Sequence, residues 1–208
     1  THQYLLAGYY NVTLWTYNAT NDVWGSLTKT IRVDRNITLN TTKEGYAGYN
    51  YITWHQEPEK AYNLSKIMSL HNGSWIHKYN KTKEGWDSWV AGYNAGINFT
   101  VDTWDTIVVC VGYNDTVRIN TTSNLSNIKD TDLSPVYNYL GWCSKNQINV
   151  SNWTDVRDGD WVYKFDTVNN TWLSWFTTLH AGDNFKIRPY DGLIIATGNS
   201  YRISIGGD

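Results

Sequence analysis

Apolar and polar residues alternate with a period of two along most of the chain, the signature of half-buried β-strands. From Gly8 to Tyr17, Tyr10, Val12 and Leu14 share one face, predicted to point inward, while Asn11, Thr13, Trp15 and Tyr17 share the other. Asn36 and Asn40 oppose Ile37 and Leu39 in the same way, and Asn98 opposes Ile97, Phe99 and Val101. Two segments, Thr106–Val111 and Gly192–Ala196, are almost wholly apolar and read as strands buried on both faces. One stretch, Ala61–Met68, has the spacing for two helical turns. Further strands are predicted at 28–33, 36–41, 51–54, 75–79, 86–91, 97–101, 139–142, 160–165, 172–177 and 184–187, with a turn at 18–22 and with turns at 80–85 and 166–171 that suit hairpins.

The pattern repeats. Trp75, Tyr79, Trp86, Trp89, Gly96, Phe99, Val101, Trp104 and Asp105 recur 86 positions later as Trp161, Phe165, Trp172, Trp175, Gly182, Phe185, Ile187, Tyr190 and Asp191. Tyr51-Ile52-x-Trp54 recurs as Tyr139-Leu140-x-Trp142 at a spacing of 88, so the connection between these blocks changed length by two residues. The fold class expected is all-β: tandem duplicated small β-modules, β-sandwich-like, preceded by an N-terminal β segment. The divisions are 1–48 for that segment, 49–120 for the first module and 121–208 for the second.

Composition narrows the class. Of the 208 residues 17% are charged, against about 25% in an average soluble protein, and the net charge is -2. That argues against an electrostatic nucleic-acid binder. No apolar run reaches 18 residues, so no helical membrane span is expected. The chain starts at Thr1 without a signal-peptide pattern, which suggests a mature or trimmed product. Polarity comes from neutral groups, including 23 Asn, 24 Thr and 13 Ser.

Asn-x-Ser/Thr acceptor triplets fall at Asn11, Asn18, Asn36, Asn40, Asn63, Asn72, Asn80, Asn98, Asn114, Asn120, Asn124, Asn149, Asn152 and Asn169. Random placement of this composition gives about 4 such triplets. The excess predicts a secreted protein under a dense N-glycan coat, the bland alternative being an Asn/Thr-rich β composition that inflates the count. Cys110 and Cys143 make an even number, compatible with one disulfide in an oxidising compartment or with two free thiols. The disulfide is the expectation adopted, as a staple across the module junction.

No catalytic constellation emerges. The five histidines are scattered, and Asp155, Asp158 and Asp160 lack a calcium-loop pattern and read as a turn. There is no phosphate loop, serine elbow or Cys/His cluster. Neither an enzyme, nor a cofactor, nor a metal site is expected. Trp86 and Trp89, at odd spacing, should point to opposite faces. Outward tryptophans lining a shallow groove would favour sugar binding, and capping by a neighbour would favour assembly.

The order of aromatic strand, polar stretch, Trp-x(3)-Tyr/Phe, Trp-x-x-Trp and Phe-x-Val/Ile-x-x-Trp/Tyr-Asp resembles the repeated β-modules of secreted archaeal cell-surface proteins. These include surface-layer-associated proteins and extracellular filament subunits. The dense acceptor sites are similar to those of thread-like pili that assemble by strand exchange. The resemblance covers about two thirds of the chain and implies an extracellular structural subunit of a filament or surface lattice. Its expected partners are further copies of itself, covalent N-glycans and surface polysaccharide. A carbohydrate-binding adhesin and a virion surface glycoprotein are the alternatives. Within residues 1–10, the apolar start Tyr4, Leu5, Leu6 and Ala7 is the candidate donor strand for a neighbouring copy, against an intramolecular edge strand.

Overall fold

The computed structural model describes residues 8–20, 22–33, 35–39, 41, 48–54, 62–63, 74–102, 104–119, 129–144 and 146–206. The described chain is all-β, and the two repeats fold alike. In the first, β4 (Gly48–Thr53), β6 (Trp75–Asn80), β7 (Gly85–Val90), β8 (Ala95–Gly96) and β10 (Thr106–Val111) form an antiparallel sheet in the order β4-β10-β6-β7-β8. In the second, β13 (Val136–Gly141), β15 (Trp161–Asp166), β16 (Thr171–Phe176), β17 (Ala181–Gly182) and β19 (Gly192–Thr197) repeat that order. The apolar strands β10 and β19 lie inside their sheets, which satisfies their backbone groups and buries both faces, as their sequences predict.

One face of each sheet is covered by two-stranded ribbons. β3 (Arg35–Leu39) pairs with β11 (Asp115–Ile119), and β5 (Tyr62–Asn63) pairs with β9 (Thr100–Val101). Their counterparts are β12 (Lys129–Leu133) with β20 (Tyr201–Ile205), and β14 (Ile148–Asn149) with β18 (Lys186–Ile187). Between sheet and ribbons lies a core of Leu39, Trp54, Ile76, Trp89, Phe99, Val101, Ile107 and Val109 in the first module. Leu133, Trp142, Val162, Trp175, Phe185, Ile187, Leu193 and Ile195 fill the equivalent places in the second. The module therefore begins at β3, upstream of the boundary expected after residue 48. That relation is hidden in the sequence because eight residues join β3 to β4 and only two join β12 to β13.

Two predicted elements differ. Tyr62–Asn63 is a short strand against Val101 and Thr100, not part of a helical turn, and the rest of 61–68 lies outside the described residues. The strands expected at 97–101 and 184–187 each start late, because the chain turns at Gly96 (φ +95°) and Gly182 (φ +112°). A Cβ at either glycine would lie 2.3 Å from a backbone oxygen, that of Ser88 or Ser174. Ile97 is consequently exposed while Phe99 is buried, and the expected alternation fails there.

A matched ion pair braces each module. Lys78 Nζ donates to Asp105 Oδ2 at 2.5 Å and to the Thr100 carbonyl at 3.1 Å. Lys164 makes the same contacts with Asp191 and the Lys186 carbonyl. The cysteines are not joined. Cys110 sits in β10 between Tyr49 and Trp75, and Cys143 is buried in the second core, with its thiol donating to the Gly141 carbonyl at 3.2 Å. The expected disulfide is not formed: Cys110 lies in the first module's sheet and Cys143 in the second module's core.

Candidate functional site

Strand register sets the outer face of each sheet in three rows. In the first module the rows run Tyr49, Cys110, Trp75, Val90, then Tyr51, Val108, His77, Ser88, then Thr53 beside Thr106, with Tyr79 beside Trp86. In the second they run Tyr137, Ala196, Trp161, Phe176, then Tyr139, Ile194, Tyr163, Ser174, then Gly141 beside Gly192, with Phe165 beside Trp172. The modules dock through their third rows about a pseudo-twofold axis. Tyr51 packs on Phe165 and Trp172 with ring centroids 5.4 and 4.9 Å away, and Tyr139 packs reciprocally on Tyr79 and Trp86 at 4.8 and 4.9 Å. Such ring pairs contribute about 0.5–1.5 kcal/mol each beyond their buried area.

Near the axis each residue meets its own counterpart. Thr53 packs against Gly141, and Thr106 packs against Gly192. Two threonines would collide, so threonine in one copy faces glycine in the other. Thr53 also donates from Oγ1 to the Asp191 carbonyl at 2.8 Å and from its amide to the Tyr190 carbonyl at 3.1 Å. The duplicated chain is an intramolecular dimer whose contact is asymmetric where symmetry would clash.

Docking engages the third rows together with Tyr51 and Tyr139 of the second, and leaves an open surface over the rest of the second row and the first. The result is two equivalent grooves. One, of about 410 Å³, is lined by Tyr49, Tyr51, His77, Trp86, Ser88 and Val108. The other, of about 380 Å³, is lined by the counterparts Tyr137, Tyr139, Tyr163, Trp172, Ser174 and Ile194. Trp86 is 42% exposed and Trp172 41%, whereas Trp89 and Trp175 are buried, in accord with their odd spacing. The outward tryptophan of each pair is thus edge-capped by the other module's tyrosine and still lines an open groove.

Both grooves are electrically neutral. Burial pushes the Tyr51 phenol up to about 12 and raises those of Tyr139 and Tyr163, so all three remain protonated hydroxyls. Burial lowers the pKa of His77, and its Nδ1 lies 2.8 Å from Ser88 Oγ. A separate polar cleft of about 550 Å³ lies between the modules beside Asn50 and Lys164. At the pseudo-symmetric place Lys81 reaches across and donates to Asn138 Oδ1 at 3.0 Å; its counterpart Thr167 is too short for that contact. No group of His, Cys, Asp or Glu suited to a metal occurs among the described residues, and Asp160 instead accepts a hydrogen bond from the Tyr201 hydroxyl.

A second surface lies at the N-terminal side. β1 (Gly8–Asn18) and β2 (Val23–Val33) pair over their whole lengths as a two-stranded ribbon. Each face of the ribbon carries exposed apolar side chains among polar ones. Leu14 and Leu27, opposite each other, are 62% and 69% exposed. Trp15, Tyr17 and Trp24 are exposed on the other face. The inward orientation expected for Leu14 is therefore corrected: no layer among the described residues covers that face. Tyr4, Leu5, Leu6 and Ala7 lie outside the described residues, but Gly8, Tyr9 and Tyr10, expected to leave with them, pair within the chain to Val33, Arg32 and Ile31.

Of the acceptor asparagines, Asn11, Asn98, Asn114, Asn152 and Asn169 are exposed, and Asn80 and Asn149 are half-buried. The side chains of Asn18, Asn36, Asn40, Asn63, Asn72, Asn120 and Asn124 lie outside the described residues. Asn80 closes the β6–β7 turn. Its Oδ1 accepts from the amides of Thr82 and Lys83, and its Nδ2 donates to Asp87. The counterpart Asp166 accepts equivalent turn amides from Val168 and Asn169. A structural role thus accounts for one triplet.

No protein-family model, curated protein or solved structure matches this chain.

Proposed function

We propose that the chain is a glycosylated extracellular structural protein that assembles with copies of itself, as in a filament or surface lattice. The observation that carries this reading is the β1–β2 ribbon. An isolated two-stranded ribbon is marginal in water, and this one exposes leucines on one face and tryptophans and tyrosine on the other. Its two edges, each eleven residues long, have no hydrogen-bonded neighbour among the described residues. β1 has no charged residue to protect its edge and β2 has only Lys29 and Arg32. Long, uncharged edges are templates for another chain. The module sheets offer shorter edges, a two-residue strand (β8 or β17) on one side and a six-residue strand (β4 or β13) on the other.

A second copy satisfies both requirements at once: it pairs the open edge and covers the apolar faces. With Gly8–Tyr10 engaged in the chain's own ribbon, strand donation from Tyr4–Ala7 is confined to the residues before Gly8. Acceptor asparagines on the exposed surface would leave glycans directed to solvent.

The test compares the glycosylated full chain with its Leu14→Lys/Leu27→Lys variant by electron microscopy, sedimentation and intact mass. The wild-type chain should polymerise with a mass above 24.0 kDa. The variant should melt at the same temperature but remain monomeric. Equal polymerisation of the variant, or a monomeric wild type, overturns the assembly reading, and a mass equal to the bare chain overturns glycosylation.

A further inference from the structure

We infer that the two aromatic grooves are a matched pair of carbohydrate-binding sites, each taking a neutral pyranose segment. This goes beyond self-assembly and rests on different residues, so either reading can fail without the other.

The two copies of the module have kept some surface positions and let others drift. Where the outer surface has no shared task the copies differ: the turn Lys81-Thr82-Lys83-Glu84 corresponds to Thr167-Val168-Asn169-Asn170, and Tyr93 corresponds to Leu179. In and beside the grooves, Tyr49 and Tyr137, Trp75 and Trp161, and Ser88 and Ser174 are identical. Tyr51, Tyr139, Trp86 and Trp172 could be retained for docking alone. The other three pairs make none of the ring contacts that join the modules among the described residues, and their aromatic members are exposed. Packing within one module does not require four half-exposed aromatic rings to match across copies.

The chemistry of the grooves selects the ligand. Each floor is formed by strands inside the sheet, β10 and β6 or β19 and β15, whose backbone groups are already paired. A peptide strand laid there would find no ladder and leave its own amides unpaired. A ligand carrying phosphate or carboxylate would meet no cation, because neither groove contains a charged lining residue. A pyranose fits both conditions. Its C–H face packs on an indole or phenol ring, and its rim hydroxyls reach the Ser88 or Ser174 hydroxyl and the tyrosine hydroxyls. Volumes near 400 Å³ fall within the range of small-ligand sites. The pseudo-twofold axis presents the two sites together, so a polymeric or branched glycan can engage both and gain by linkage.

Isothermal titration of the full chain, produced in a host without N-glycosylation so that its own sugars cannot occupy the grooves, would use cellohexaose, chitohexaose and mannohexaose. At least one should bind with two equivalents per chain. Tyr49→Ala or Tyr137→Ala should each remove one equivalent, and the double variant should lose at least about tenfold in affinity. These tyrosines are exposed, so the melting temperature should not change. No saturable binding of any of the three at about 5 mM, or binding unchanged in the double variant, overturns the proposal. So does wild-type self-association that the double variant abolishes, because the occupant would then be a second copy.

Discussion

Gly141→Ala probes the contact on which both grooves depend. A Cβ built at Gly141 would lie 2.1 Å from Thr53 Cγ2, 2.6 Å from Oγ1 and 2.8 Å from Cβ. Gly141 lies outside the positive-φ region, so backbone strain plays no part and the penalty is steric. Thr53 is fully buried and its hydroxyl is tied to the Asp191 carbonyl, so rotating it away breaks that bond. Overpacking costs about 1–3 kcal/mol and a lost hydrogen bond about 0.5–1.5. The expected destabilisation is therefore about 2–4 kcal/mol. At this chain length each kcal/mol corresponds to about 2–4 °C in Tm. Urea unfolding followed by tryptophan fluorescence measures it for the wild type, Gly141→Ala, Thr53→Gly and the double variant. Thr53→Gly removes the obstructing side chain, so the double variant should show a favourable coupling of at least about 1.5 kcal/mol. A Gly141→Ala cost below about 0.5 kcal/mol, or strictly additive effects, would refute the idea that threonine against glycine sets the distance between modules.

Gly96→Ala and Gly182→Ala should each destabilise by about 2–6 kcal/mol, combining positive-φ strain with overlap onto a backbone oxygen that cannot rotate away, and should do so to similar extents in urea titrations. Acid sensitivity should depend in part on Asp87. Hydrogen bonds from Lys83 and Asn80 hold its carboxyl below its ordinary value of 3.8. A depressed folded-state pKa gives stability that is fully present above the unfolded value and lost as pH falls through the folded one. The stability difference between wild type and Asp87→Asn should therefore be constant near neutral pH and shrink only in the acid range below 3.8; a difference that grows on acidification would contradict the assignment.

Local rules account for much of what the chain discloses before folding is considered. Period-2 alternation marks strands because successive side chains in a pleated backbone point to opposite faces, and it set Trp86 and Trp89 on opposite faces, of which the fold buries Trp89. The apolar runs 106–111 and 192–196 announced central strands, because only a strand covered on both faces tolerates such a sequence. The constant spacing of 86 revealed two copies of one unit. Where a position depends on partners distant in sequence, those rules stop. β3 and β12 are equivalent only through their pairing with β11 and β20, and unequal connections erase their common spacing. Alternation gave Leu14 an inner face, but whether a layer exists to cover it is a tertiary matter, and on this ribbon none does among the described residues. Two cysteines in one chain are compatible with a bridge by count alone; the fold places one on a sheet face and the other in the opposite module's core. The grooves belong wholly to the tertiary structure. Tyrosines and tryptophans 121 and 53 positions apart become neighbours only because the second module docks upside down on the first. That docking turns two aromatic sheet faces into one buried contact and two open sites.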